Sequence, residues 1–156
     1  MRLIARRAAA LSTLVLAACA HAPAATTTAT AVTPEFLTPY GAPTRPFSPA
    51  VRVGNLLFLS GQIGTKPDAS GEVVAGGIQP ETRQALENIR ELLGRVGSSM
   101  DKVVKCTVFM ADMKEWPAMN EVYATFFPTN KPARSAFGAT GLALNARVEI
   151  ECIAAA

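Results

Sequence analysis

The sequence RVEIEC at residues 147–152 decides the fold, because its polarity alternates strictly from one residue to the next. A period of two indicates a strand with one buried and one exposed face. One face carries the apolar side chains Val148, Ile150 and Cys152. The other face carries the charged side chains Arg147, Glu149 and Glu151. Because the apolar face must be covered by another layer, this strand predicts a sheet with helices on one side.

The segments that precede this strand predict a hairpin and two helices. Residues 51–53 and 56–60 flank Gly54-Asn55, which predicts two strands joined by a tight turn. Apolar residues recur at three- and four-residue steps in residues 80–96. A second run, residues 115–127, carries aromatic side chains at helical spacing, and we interpret Trp116 and the Phe pair as core residues. Each run therefore predicts an amphipathic helix.

The remaining strands complete an α+β fold. Residues 101–110 are rich in β-branched side chains, which predicts a central strand. Residues 135–137 predict a short further strand. The order β-β-α-β-α-β favours one sheet with two helices packed on one face. The other face must then be solvated or covered by a partner, and polar side chains there would line a cleft between subunits.

The N-terminus predicts a cleaved export signal rather than folded structure. Residues 1–18 combine three arginines with a short apolar run that contains no acidic residue. The run is too short to remain as a membrane-spanning helix. Its end, Leu16-Ala17-Ala18-Cys19, resembles a lipobox, in which Cys19 takes up a lipid anchor after cleavage. Ala20 then favours the outer membrane, although an ordinary signal with an incidental Cys19 is the alternative.

The charge of the chain does not favour a nucleic-acid partner, and none is expected. The chain has 15 basic and 12 acidic side chains, and the excess of three equals the number of arginines in the signal, so the mature chain has no net charge. The sequence after the signal contains no basic stripe and no aromatic platform for nucleic acid.

Residues 19–44 are rich in Ala, Thr and Pro and predict a lipid-anchored flexible tether. Residues 45–156 predict one folded domain.

The domain contains few catalytic side-chain types. Its sequence has no histidine, because the one histidine of the chain is His21 in the tether. Histidine general bases and histidine zinc sites are therefore excluded, and no metal site is expected. Cys106 and Cys152 both lie in apolar runs. We interpret them as buried free cysteines, with a disulfide in an oxidising envelope as the alternative.

Two charged residues remain as candidates for chemistry. Arg134 lies where a loop enters a β segment, and a guanidinium there could bind a carboxylate through two parallel hydrogen bonds. Glu149 is central in the last strand, where acidic residues are disfavoured. The alternatives are a surface arginine, and for Glu149 a solvated position or an ion pair with Arg147 or Arg134.

An ordered series of motifs resembles the RidA/YjgF family of reactive intermediate deaminases. The resemblance runs from about Pro46 to Ala154, close to family spacing. The motifs are Ser60-Gly61-Gln62, Gln84-Ala85-Leu86-Glu87-Asn88, Val108-Phe109 with Asp112, Asn120-Glu121-Val122-Tyr123, Phe126-Phe127, Pro132-Ala133-Arg134-Ser135 and Val148-Glu149-Ile150-Glu151.

The resemblance implies a fold and a set of site residues. The fold would be a chorismate-mutase-like α+β mixed sheet, assembled as a homotrimer with clefts between protomers. Arg134 matches the arginine that binds the substrate carboxylate, and Glu149 matches the acid that positions or deprotonates the attacking water. Ser60 and Asn120 match polar residues of the pocket. Phe47 stands where the family has a tyrosine.

The resemblance also implies a reaction that needs no cofactor and no metal. It is the hydrolysis of 2-imino acids or their enamine tautomers to 2-keto acids and ammonia. The N-terminal signal predicts that the domain faces the periplasm. Two departures from the family are Phe47, which lacks a hydroxyl unless Tyr40 supplies one, and Ala136 in place of a frequent cysteine. A non-catalytic binder of small carboxylates and a tethered structural trimer are therefore the alternatives.

Overall fold

The predicted sheet and both predicted helices are present, and the sheet has more strands than the sequence predicts. The computed structural model describes residues 31–42, 44–68 and 70–156, so the predicted signal, Cys19 and His21 lie outside the described residues. The elements are β1 (Glu35–Leu37), β2 (Ala50–Val53), β3 (Leu56–Leu59), β4 (Gln62–Ile63), α1 (Ile78–Arg95), β5 (Val103–Met110), α2 (Trp116–Phe126), β6 (Ala133–Gly138) and β7 (Val148–Ala155).

The sheet is mixed, as predicted. Its strand order is β1-β2-β3-β7-β5-β6, and the short β4 pairs with β7. The pairing of β5 with β6 is parallel, with α2 in the crossover, and the other pairings are antiparallel. The alternating segment of the sequence therefore lies at the centre of the sheet, where it pairs with β3, β4 and β5.

The two helices cover one face of this sheet, and the core lies between the layers. The side chains of β7 that point to the helices are 0–2% exposed, as the alternation predicts. Burial of a side chain as large as Leu or Ile stabilises a fold by roughly 1.5–3 kcal/mol. The largest fully buried side chains include Leu57, Leu86, Ile89, Leu92, Leu93, Met110, Met119 and Ile150.

The ends of the helices follow local sequence signals. After α1 the chain turns at Gly97, whose φ of +82° is readily available only to glycine. The backbone N–H of Ser98 donates to the carbonyl of Leu93 at 2.8 Å, which closes the C-terminal turn. In α2, Pro117 occupies the first turn, where its missing N–H costs nothing. Both boundaries lie within two residues of the predicted ones.

The other face of the sheet has no covering layer among the described residues, and several of its side chains are large and apolar. Phe58 of β3 is 41% exposed and Phe137 of β6 is 47% exposed. The Phe137 ring packs edge-on against Phe109 of β5, with ring centroids 4.9 Å apart. An exposed aromatic surface of this kind is typical of a protein interface.

The expectation of free cysteines is wrong, although both residues are buried as expected. Cys106 of β5 and Cys152 of β7 form a disulfide, and they are 1% and 2% exposed. The physical reason is the register of the two antiparallel strands, which places these residues directly opposite each other on the helix-covered face. The disulfide therefore links the two central strands inside the core.

The ordered part of the chain begins before residue 45. Strand β1 lies within the segment predicted as a tether and pairs with β2, with Phe36 opposite Val51. Glu35 also lies 3.9 Å from the guanidinium of Arg52.

Gly54-Asn55 joins β2 to β3 as the predicted hairpin. None of the helices in the described residues is long and apolar enough to span a bilayer.

Candidate active site

Arg134 lies at the edge of the sheet, on the helix-covered side. In the parallel pairing of β6 with β5 it is in register with Cys106, so both residues point to the same face. Its guanidinium carbon lies 4.5 Å from the ring centroid of Tyr123 and 5.6 Å from that of Trp116. Among the described residues, no carboxylate forms an ion pair with Arg134. The guanidinium is therefore held by aromatic rings and remains available to an anion.

Asn120 belongs to the same cluster. It lies four residues after Trp116 and three before Tyr123 on α2, and residues at these spacings share one face of a helix. Both neighbours contact Arg134, so the carboxamide of Asn120 extends from the helix face that contacts the guanidinium. The structure thus places the predicted site residue Asn120 on the face of α2 that carries the two rings in contact with Arg134.

The interpretation of Trp116 as a core residue is wrong. Its side chain is 37% exposed, because it lies at the first residue of α2, where the helix reaches the edge of the sheet. The pair Phe126 and Phe127 is buried, at 7% and 3% exposed, as predicted. The sequence signal that relates the tryptophan to the site is helical spacing, which places Trp116 on the same face of α2 as Asn120 and Tyr123.

Glu149 lies on the uncovered face of the sheet. It is in register with Phe109 of β5 and with Ile63 of β4, and it is half-buried. Burial raises the pKa of its carboxyl group, and the negative charge of Glu151 raises this pKa further. The group therefore binds a proton more readily than an ordinary glutamate, which is a property of general bases that work near neutral pH.

The alternative reading of Glu149 as an ion-pair partner has no support in the described residues. Arg147 instead binds Glu115, with its Nε 3.0 Å from both carboxylate oxygens and its Nη2 2.7 Å from Oε1. No other cation pairs with Glu149 in the described part of the chain. Its carboxylate therefore remains available to a water molecule or a ligand.

Gly61 lies beside Glu149, and Ser60 precedes it in the chain. The Ser60 hydroxyl donates to the carbonyl of Ser48 at 2.7 Å, which leaves its oxygen able to accept a hydrogen bond. Gly61 approaches the acid so closely that a Cβ there would lie 2.8 Å from the Glu149 carboxyl carbon. Motif matching identified Ser60 but did not assign a role to Gly61.

Phe47 lines a separate concavity of about 480 Å³ between the N-terminal segment and α1. Its side chain is 49% exposed, and Gly61 lines the same cavity. Tyr40 also lines it, with its ring centroid 4.9 Å from the Arg95 guanidinium carbon. A phenol group is thus present in the concavity that contains Phe47.

A single protomer does not bring Arg134 and Glu149 together. Arg134 shares the helix-covered face with Cys106, whereas Glu149 shares the uncovered face with Phe109. The two positions are two strands apart and offset by three residues along β5. With strands about 4.8 Å apart and about 3.3 Å per residue, their Cα atoms are separated by roughly 14 Å. The protomer therefore carries two half-sites: Arg134 next to the face of α2 that carries Asn120, and Glu149 against the Ser60-Gly61 segment.

Neither half-site resembles a metal centre. In the described residues no group of three or more His, Cys, Asp or Glu side chains is close enough together to hold a metal ion. The groups that the two half-sites offer to a substrate are the guanidinium, the carboxylate and the polar groups around them.

Comparisons with known proteins identify the family of the chain. A family model described as "Endoribonuclease L-PSP" matches residues 39–156. A RutC family protein of Pyrococcus horikoshii is 46% identical over 112 residues, which cover 72% of this chain and 88% of that protein. The mouse 2-iminobutanoate/2-iminopropanoate deaminase is 44% identical over 109 residues, which cover 70% of this chain and 80% of the mouse protein.

A solved structure of the same family also matches the fold of this chain. The crystal structure of YyfA from Yersinia pestis, a member of the conserved Rid protein family, matches with a TM-score of 0.73 and 35% identity. The match covers 80% of this chain and 100% of that one. The family model, the relatives and the fold together lead to one conclusion: the chain belongs to the RidA/YjgF family, the family of the endoribonuclease L-PSP model.

Proposed function

We propose that this protein hydrolyses 2-imino acids and their enamine tautomers to 2-keto acids and ammonia. The observation that carries the proposal is the guanidinium of Arg134, which contacts two aromatic rings and pairs with no carboxylate of the described residues. A cation in this state fits a substrate that carries a carboxylate. The name of the mouse relative, a 2-iminobutanoate/2-iminopropanoate deaminase, supports the same substrate class.

The proposed reaction uses binding, orientation and proton transfers through one carboxyl group. Arg134 binds the substrate carboxylate through its N–H groups, and Asn120 donates or accepts a hydrogen bond beside it. Glu149 accepts a proton from a water molecule, whose oxygen attacks the protonated imine carbon and forms a carbinolamine. Glu149 then returns this proton to the amino nitrogen. As the C–N bond breaks and ammonia leaves, the O–H proton of the carbinolamine passes to Glu149 and the keto group forms. The raised pKa of Glu149 suits these proton transfers.

The proposed site is completed by a second copy of the chain. Arg134 and Glu149 point to opposite faces of one protomer, so one substrate molecule cannot contact Arg134 and receive the water held by Glu149 there. Exposed aromatic side chains on the uncovered face, such as Phe58 and Phe137, fit a buried subunit interface. We propose a homotrimer, in which each interface joins the Arg134 half-site of one protomer to the Glu149 half-site of the next. Sedimentation equilibrium of the purified domain tests this assembly.

A binder of small carboxylates is the second candidate. Phe47 favours it, because this half-exposed ring has no hydroxyl at the position where the family resemblance implies a tyrosine. Such a protein would keep the Arg134 contact with a carboxylate but would accelerate no hydrolysis. A structural trimer, with neither ligand binding nor catalysis, is the third candidate.

We also propose that the protein is exported and anchored to the outer membrane by a lipid on Cys19. The buried disulfide between Cys106 and Cys152 supports export, because disulfides persist in oxidising compartments. Cys19→Ser should move the protein from the membrane fraction to the soluble periplasmic fraction. Retention of the Cys19→Ser variant in the membrane fraction would contradict the lipid anchor.

One assay separates the three candidate functions. An amino-acid oxidase generates imino acids in place, semicarbazide traps them, and the purified protein competes with the trap. We expect acceleration of hydrolysis that falls roughly 10- to 100-fold in Arg134→Ala, which corresponds to the loss of charge-assisted hydrogen bonds. Arg90→Ala is the matched control, because Arg90 also lies over an aromatic ring, 4.7 Å from the centroid of Phe126.

The other outcomes identify the alternatives. No acceleration, combined with a rise in melting temperature on addition of 2-oxobutanoate, would favour the binder. Neither acceleration nor stabilisation would leave the structural trimer. Equal activity in wild type and Arg134→Ala would contradict the proposed role of the guanidinium.

A further inference from the structure

The aromatic rings around Arg134 carry an inference that rests on the proposed function and deepens it. We propose that Trp116 and Tyr123 are positioning residues that hold the Arg134 guanidinium in place for the substrate carboxylate. We call these two side chains the aromatic clamp. Both belong to α2, whereas Arg134 belongs to the edge strand β6, so the clamp fixes the arginine relative to the helix that also carries Asn120.

The clamp orients the cation without using the groups that bind the substrate. Cation–π attraction acts through the face of the ring and requires no hydrogen bond from the guanidinium. A carboxylate partner would instead occupy the N–H donors. Arg147 illustrates the difference, because Glu115 takes up its Nε and Nη2 donors and no second carboxylate could bind to them in the same way. Arg134 is oriented and yet unpaired, as a carboxylate-binding residue needs to be.

Tyr123 provides the rigid half of the clamp. It is 6% exposed, and its ring lies 4.9 Å from that of Phe127 between centroids. Its buried hydroxyl has no hydrogen-bond partner in the described residues. Burial raises the pKa of Tyr123 to about 12, although the charge of Arg134 lowers it, so the side chain stays neutral at physiological pH. Tyr123 thus presents a ring face to Arg134 and no negative charge that would compete with a substrate.

Trp116 provides the accessible half. It lies at the first residue of α2, is 37% exposed, and its ring centroid is 5.6 Å from the guanidinium carbon. Its removal should therefore leave the core intact while releasing one side of Arg134. Tyr123 is unsuitable for the same experiment, because truncation of a buried aromatic residue strongly destabilises the fold.

The test is a double-mutant cycle on imino-acid hydrolysis. It compares wild type, Trp116→Ala, Arg134→Ala and the double variant, with kcat and KM measured separately. Loss of a cation–π contact changes a binding constant by about 3- to 30-fold. We therefore expect KM to rise by that factor in Trp116→Ala. The value of kcat should change little, because Glu149 and its water are not altered. Trp116→Phe, which restores a ring face, should recover most of the lost affinity.

The cycle also provides its own control. In the Arg134→Ala background there is no guanidinium to position, so Trp116→Ala should have no further effect on KM. Additive effects of the two substitutions, or wild-type KM in Trp116→Ala, would overturn the clamp. A fall in kcat together with a fall in melting temperature, with KM unchanged, would also overturn it, since this result would indicate a structural role.

Failure of the clamp is distinguishable from failure of the proposed function. If Arg134→Ala loses activity and Trp116→Ala does not, only the clamp is contradicted. If Arg134→Ala retains activity and the stabilisation by 2-oxobutanoate, the carboxylate site itself is contradicted, whatever Trp116 does.

Discussion

The Glu149 carboxylate lies directly against the Cα of Gly61. A Cβ at residue 61 would collide with the carboxylate, and the distance to its carboxyl carbon would be 2.8 Å. Gly61 has no positive φ, so its requirement for glycine comes from this close approach and not from the backbone conformation. The loop between β3 and β4 thus sets where the acid can point.

Gly61→Ala should impair the reaction by displacing the acid. The added methyl group must push the Glu149 carboxylate away, and a displacement of about 1 Å at a catalytic group can lower the rate about 100-fold. We expect a fall of kcat of roughly that size with a folded protein. Gly141→Ala is the matched control, because a Cβ there meets nothing within 4 Å and φ is not positive. Equal activity of the two variants would contradict this role for Gly61.

The pH dependence of kcat/KM should reflect Glu149. The proposed mechanism requires the deprotonated carboxylate, and both burial and Glu151 raise its pKa. The value of kcat/KM should therefore fall with decreasing pH, and the apparent pKa of this fall should lie above the ordinary glutamate range. Glu151→Gln removes one of the two causes, so it should move this acidic limb to lower pH. An acidic limb that does not move in Glu151→Gln would argue against Glu149 as the titrating base.

Glu149 should also make stability depend on pH in a defined direction. A carboxyl group whose pKa is higher in the folded than in the unfolded state stabilises the fold at low pH, and this contribution is lost as the pH rises through the folded-state pKa. Glu149→Gln carries no such charge. Thermal melts should therefore show Glu149→Gln gaining stability relative to wild type as the pH rises. A difference between the variants that is constant from acid to alkaline pH would contradict the raised pKa.

The disulfide should contribute a large part of the stability. Cys106 and Cys152 are separated by 46 residues in sequence, and closing a loop of that length stabilises a fold by roughly 4 kcal/mol through the unfolded state. The double variant Cys106→Ala/Cys152→Ala should show a clear loss of unfolding free energy in denaturant titrations, and a strong reductant should lower the melting temperature of the wild type only. Two titratable thiols in the natively purified protein would contradict the pairing.

Periodicity was sufficient to predict the main elements of the fold. Residues 147–152 alternate because one face of β7 is buried under the helices, and the apolar steps of residues 80–96 follow the buried face of α1. The short strands β1 and β4 carry too few residues to produce a periodic signal. They form because the edges of longer strands offer backbone hydrogen bonds.

Contacts between distant segments could not be predicted in this way. The pairing of Cys106 with Cys152 depends on the register of β5 against β7, which no local pattern specifies. The contact of Trp116 with Arg134 depends on how the start of α2 meets the edge strand. Sequence position selected the candidate residues Arg134 and Glu149 and motif resemblance supplied their roles, but only the strand register reveals that they point to opposite faces.

The central claim is that each active site takes Arg134 from one protomer and Glu149 from the next. Arg134→Ala and Glu149→Gln should each be nearly inactive alone. When the two variants carry different affinity tags and are expressed together, tandem purification isolates trimers that contain both. In such a trimer one interface of three combines an intact Arg134 with an intact Glu149, so we predict about a third of wild-type activity. Activity that stays at the level of the single variants in these mixed assemblies would contradict a site shared between protomers.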